Sequence, residues 1–160
     1  MATQGLLATG AESRHPMRRI VLLFVALVAL AGCREVRVNL QRTGTTHAVG
    51  GNQIVIVRNQ RALDALEISV PVNFRREFAA VLLMGPHRES GYTQIVESIR
   101  ANADRIRVVA FEKAPLDGGE PVPAYRTYTI FIVPNIAYQP GSRVDVVTPS
   151  GEPVVTTVLH

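Results

Sequence analysis

One cysteine, Cys33, and no tryptophan occur in the 160 residues, and aromatic side chains make up only 6%. A lone cysteine excludes an internal disulfide and a thiolate metal site, so stability has to come from packing. The four histidines, His15, His47, His87 and His160, stand far apart, without the H-E-x-x-H or Cys/His spacing of a zinc site. No Gly-x-Ser-x-Gly elbow and no Gly-rich phosphate loop is present, and only five serines follow Cys33. The expectation is a protein that is not an enzyme and takes no cofactor or metal. Charge is scarce too. Of 17 basic and 13 acidic residues, Arg14, Arg18, Arg19 and Glu12 precede Cys33, so 14 and 12 remain and the net charge falls from +4 to +2. No arginine stripe accompanies so small an excess, which argues against nucleic acid as a partner.

Long apolar runs are likewise missing. The longest, Ile20 to Leu30, has eleven residues, whereas a bilayer takes about 20 in a helix. Preceded by Arg18 and Arg19 and followed at once by Arg34, Glu35 and Arg37, it reads as the hydrophobic part of a signal peptide. Leu30, Ala31, Gly32 and Cys33 then match the bacterial lipobox of Leu, two small residues and Cys. That pattern predicts cleavage after residue 32, lipid on Cys33 and attachment to the cell envelope. More than one acyl chain makes such attachment lasting. In bacteria with two membranes an Asp after the lipidated Cys is associated with retention at the inner membrane. Arg34 stands there instead, so outer-membrane delivery is expected. A start at Met17 would give a more compact leader than a start at Met1.

Residues 33–160, 128 in all, are enough for one domain. Val36, Val38 and Leu40 alternate with polar residues, but Gln41 to Gly51 is rich in Thr and Gly. The division expected is a leader over 1–32, a lipidated tether over 33–51 and one β-rich domain over 52–160. Within that domain Gln53 to Val57 reads as a buried strand, and Asn59 as the N-cap of a brief helix whose Leu63 and Leu66 pack on a sheet. Phe78 to Met84 is a second apolar strand. Tyr92 to Ile99 and Arg105 to Glu112 form a hairpin. The Gly- and Pro-rich stretch Ala114 to Ala124 is expected to tip a further hairpin leading to the strand Tyr128 to Val133. Val144 to Val147 and Val154 to Val158 close the chain around a type I turn with Pro149 and Gly151 at its second and fourth positions. The fold class predicted is mainly β, a sandwich or partly open antiparallel barrel with one short helix, with α+β as the alternative.

One stretch stands out. An apolar strand ends at Met84, Gly85 and Pro86, then His87, Arg88, Glu89, Ser90 and Gly91 form a polar loop before Tyr92. Gly85 and Gly91 there suit positive φ or close backbone approach, Tyr92 a ring at the core edge, and His87, Arg88 and Glu89 a solvated face. Gly85, Gly91, Tyr92 and Ile95, followed by Lys113, Ala114 and Pro115 at a strand end and by Tyr128, resemble the C-terminal domain of the protease complex subunit PrcB family over roughly Gln53 to Val133. Ser90, Glu89 and Arg88 depart from that family's usual Gly, Thr and Pro. The resemblance implies a small noncatalytic domain that assists assembly or maturation of an exported protease complex. The expected partners are the membrane, through Cys33, and an envelope protein, a protease among the candidates. The contact surface would be Gly85, His87, Arg88, Glu89, Ser90, Gly91 and Tyr92 together with the 114–124 loop. The alternatives are a protease inhibitor that presents the 85–92 loop and, more remotely, an enzyme of unknown type.

Overall fold

The structure, a computed structural model, describes residues 38–102 and 104–160; the leader, Cys33 and the Met17 start lie outside them. Eight strands build two four-stranded sheets among the described residues. In chain order they are β1 (Asn39–Thr46), β2 (Gln53–Val57), β3 (Glu77–Glu89), β4 (Thr93–Ala101), β5 (Arg105–Lys113), β6 (Pro121–Pro134), β7 (Arg143–Val147) and β8 (Pro153–Val158). One sheet runs β1-β6-β3-β2 and the other β4-β5-β7-β8. All neighbours are antiparallel except β5 and β7, which run parallel. Among the described residues the protein is therefore a mainly β sandwich with a single short helix and no closed barrel.

Hydrophobic patterning explains the layering. In β3, Phe78, Ala80, Leu82 and Met84 point into the space between the sheets, against Ile106, Val108 and Ala110 of β5 and Val144 and Val146 of β7. The alternate residues Ala79, Val81 and Leu83 point the other way, beneath Leu63, Ile68 and Val70. Both faces of this sheet are thus buried, which is why β3 and β6 read as unbroken apolar runs. The second sheet is covered on one face only, and β5 alternates accordingly.

The cover on the first sheet begins with α1 (Gln60–Asp64), capped by Asn59, whose side chain accepts from the Ala62 N–H at 2.8 Å. Leu63, fully buried, anchors the helix to the sheet. The β4–β5 and β7–β8 hairpins form as the sequence predicts, and the Gly151 N–H donates to the Thr148 carbonyl at 2.9 Å across the turn.

Two expectations are corrected. Residues 41–46 belong to a strand, not a tether: β1 pairs with β6 from Asn39 opposite Ile132 to Thr46 opposite Arg126. Its Thr and Gly composition suits an edge strand, and Gly44 lets the Tyr128 ring lie flat against the backbone, since a Cβ there would come within 2.8 Å of the Tyr128 hydroxyl. The stretch after β5 does not tip a hairpin either. It carries the chain from one sheet to the other, and β6 already begins at Pro121.

Candidate functional site

Gly85 to Glu89 continue strand β3 where the sequence predicts a loop, and only Ser90 and Gly91 form a turn before Tyr92 leads into β4. β3 shifts register between Met84 and His87 and again between His87 and Glu89, yet pairing with β6 persists, with His87 opposite Tyr125 and Glu89 opposite Pro121. The long β6 supplies partners that an early strand end would have lacked. Gly85 (φ +117°) and Gly91 (φ +96°) both take the left-handed conformation, and the Gly85–Pro86 peptide is cis. At Gly91 a side chain is doubly excluded, because a Cβ would also approach Pro115 to 2.9 Å.

His87 is not part of a solvated face. Its side chain is 11% exposed, its ring stacks on Tyr92 with centroids 3.9 Å apart and planes 11° apart, and Tyr125 leans against it at 5.6 Å. Nε2 lies 2.8 Å from Glu112 Oε1. The same carboxylate oxygen accepts from the Thr127 hydroxyl, and the Gln94 amide donates to the Thr127 carbonyl and hydroxyl at 3.0 Å each. Arg88 and Glu89, by contrast, are exposed, and Ser90 and Tyr92 are half-buried.

This polar group closes the end of the inter-sheet core. Glu112 continues the inward phase of Ile106, Val108 and Ala110; Thr127 continues that of Phe131 and Val133; Gln94 sits directly opposite Glu112. Polar residues in the inward phase of otherwise apolar strands are the signal in the sequence for Gln94, Glu112 and Thr127. Tyr125, whose hydroxyl donates to the Glu89 carbonyl at 2.9 Å and accepts from the Tyr92 N–H at 3.3 Å, carried no such signal.

The two segments expected to share a surface do meet. The Ser90 N–H donates to the Glu120 carbonyl at 2.9 Å, and the Glu120 N–H donates to the Ser90 hydroxyl at 3.1 Å. Gly119 makes the approach feasible, since a Cβ there would fall 2.0 Å from the Ser90 carbonyl oxygen. Two open hollows of about 300 Å³ each share Tyr92: one lies over Pro86, His87, Arg88 and Glu89, the other between Thr45, His47, Val122, Pro123 and Tyr125.

Beside the second hollow Arg126 is almost wholly buried, 1% exposed, and its guanidinium donates to the carbonyls of Val49 (3.2 Å) and Gly51. Burial pushes its pKa down. It pins the 47–52 loop to β6. Arg126 lies inside a stretch of β-formers that gives no hint of its role.

As chemistry, the site holds side chains rigidly. His47 and His87 find other partners than hydroxyls: His47 Nδ1 lies 3.1 Å from the Ala124 carbonyl, and His87, in β3, bonds Glu112. Among the described residues no three His, Cys, Asp or Glu side chains gather as metal ligands would.

Residues 17–33, opening on Met17 and closing on Cys33, match the prokaryotic membrane lipoprotein lipid attachment site. No match to the protease complex subunit PrcB family accompanies it. No curated protein and no solved structure matches the chain. The class is thereby defined as a lipid-anchored protein of the cell envelope. The described part that follows is a mainly β sandwich, and the attachment-site match closes on Cys33.

Proposed function

We propose that this lipid-anchored sandwich is a noncatalytic accessory domain that binds another envelope protein through the surface around Tyr92. One observation carries the reading. Tyr92 stands between two open hollows, stacked on a histidine that is itself fixed by Glu112, and exposed Arg88 and Glu89 flank it. A preorganised aromatic residue beside an arginine is the composition that dominates protein–protein contact energies, and rigid placement lowers the entropy lost on binding. The likeness of the Gly85 to Tyr92 stretch to the PrcB family makes an exported protease complex the first partner to test.

The protease-inhibitor alternative draws less support. It needs a projecting wedge, and residues 85–89 are paired into β3.

Crosslinking in cells followed by affinity capture tests the proposal. Tyr92→Ala should cut recovery of the captured partner by about thirtyfold, the size expected of a contact worth 2 kcal/mol. The double change Arg88→Ala and Glu89→Ala alters only exposed side chains and should weaken recovery while leaving the melting temperature in place. Recovery unchanged in both variants would refute the assignment.

A further inference from the structure

The lipid on Cys33 and the packing of Val38 together restrict which end of the sandwich can face the membrane. Val38 packs against the inter-sheet core. Val38 is five steps along the chain from Cys33, and a chain spans at most about 3.6 Å per residue, so the reach from Val38 to the lipidated residue is at most about 18 Å. This step rests on the lipid attachment at Cys33.

At the end of the domain where β1 begins, β2 finishes at Val57, β3 starts at Glu77 and β6 finishes at Pro134. The connections there are rich in arginine. Arg58 follows β2, and Arg75 and Arg76 precede β3; all three are exposed. The 3-10 turn Asn135–Ala137 is tied to them by the Asn135 N–H donating to the Arg76 carbonyl at 2.8 Å, and it presents Ile136, 76% exposed. Tyr138 joins the second sheet to this end: its ring packs edge-on against Phe78 with centroids 5.2 Å apart, lies beneath the Arg58 guanidinium at 4.4 Å, and its hydroxyl donates to the His160 carbonyl.

On the flank of the same end, Arg100 and Arg107 face each other across β4 and β5, exposed and with no carboxylate at ion-pair distance among the described residues. Asp145, opposite Arg107 on β7, is already held by Arg105 and Arg143. The opposite end has the reverse balance, with Glu89, Asp117, Glu120 and Glu152 exposed against Arg88 and Lys113.

We propose that the end of the sandwich bearing Arg58, Arg75, Arg76 and Ile136 docks on anionic phospholipid headgroups of the membrane that holds the Cys33 lipid. The Tyr92 surface, at the opposite end, is then directed away from the bilayer. Charge complementarity and the short reach from Cys33 act together. The lipid brings the end close, and each arginine near an anionic surface adds about fivefold to the docked population. Ile136 enters the interfacial layer as the most exposed large apolar side chain at this end among the described residues, ahead of Val158.

The mature lipidated protein provides the test. Because Cys33 is the single cysteine and carries the lipid, Gln139→Cys at the arginine-rich end or Asp117→Cys at the far end gives a unique dye site. Fluorescence quenching by headgroup-labelled lipid is read in vesicles of phosphatidylcholine alone and with about 30 mol % phosphatidylglycerol, whose negative surface potential the arginines would sense. The Gln139 dye should be quenched several-fold more in the anionic vesicles, and the difference should vanish in about 0.5 M salt, where the Debye length is a few ångströms. Combining Arg75→Gln and Arg76→Gln, both exposed, should lower the docked to undocked ratio on the order of twentyfold. The Asp117 dye should stay unquenched throughout. Quenching at Gln139 that ignores lipid charge and salt, or equal quenching at both sites, overturns the docking, as does a domain that prefers a protein surface and stays unquenched in both vesicles. Failure to float with either vesicle would overturn the anchor itself, and the docking with it.

Discussion

Asp145 is a carboxylate with only 4% of its side chain exposed, on the outer side of β7. Burial alone would raise its pKa. The Thr156 hydroxyl at 2.7 Å, the Arg105 guanidinium at 2.6 Å and the charges of Arg105 and Arg143 outweigh that, and they hold it below the ordinary carboxylate range. A carboxylate whose pKa is lower in the folded chain than in the unfolded one stabilises the fold above its unfolded value, near 3.9, and that contribution fades as the pH falls toward the lowered value. Asp145→Asn should therefore cost about 1–3 kcal/mol at pH 7. The gap between variant and parent, followed by thermal melting against pH, should narrow below about pH 4. A gap that is constant down to pH 2 would mean the loss is one of packing. At this scale the sequence was legible where a residue has a local job: Asn59 as a cap, Pro149 and Gly151 in a turn. His87, expected at a solvated face, is buried because its partners come from β5 (Glu112), β6 (Tyr125) and the residue leading into β4 (Tyr92), and no local spacing encodes such a meeting.

Among the elements, the turn at Ser90 and Gly91 and the 114–120 connection behave as one unit, held by reciprocal hydrogen bonds between Ser90 and Glu120. Two neighbouring glycines separate conformational from steric demand. Gly118 has φ +71° and open space around it, so Gly118→Ala should cost about 1–2 kcal/mol through the left-handed backbone alone. Gly119→Ala puts a carbon 2.0 Å from the Ser90 carbonyl oxygen, which forces the two segments apart. Hydrogen exchange at Ser90 and Glu120 should accelerate strongly in Gly119→Ala and little in Gly118→Ala; equal behaviour would contradict the close packing. Strands with strict alternation or long apolar runs were readable from the residues, as β2, β4, β5, β7 and β8 show. β1 was not, because Gln41 to Thr46 has the composition of a loop and becomes a strand only when the β6 edge offers it partners. The continuation of β3 beyond Met84 was hidden for the same reason: a register shift at Gly85 and Pro86 looks like a strand end in sequence.

For the whole molecule, the leader and Cys33 were the most legible part, since the lipobox is contiguous. What followed from the fold is the placement of the two ends. The Tyr92 surface and the arginine-rich connections occupy opposite ends of the sandwich, and only strand directions could reveal that. The Gly85 to Tyr92 segment and the 114–124 stretch, expected to form one contact surface, meet through Ser90 and Glu120; the Tyr125, Glu112 and Gln94 support beneath them required the packing of both sheets. Under the proposed function, the lipid and the Tyr92 face at the other end would together hold a partner at a set height above the membrane. The most direct test is photocrosslinking in living cells from a reactive side chain placed at Arg88, beside Tyr92, and separately at Gln139, at the opposite end. The account predicts one discrete envelope protein captured from position 88, absent from position 139 and lost when Tyr92→Ala is added. Capture of no discrete protein from position 88, or of the same protein equally from both positions, would contradict it.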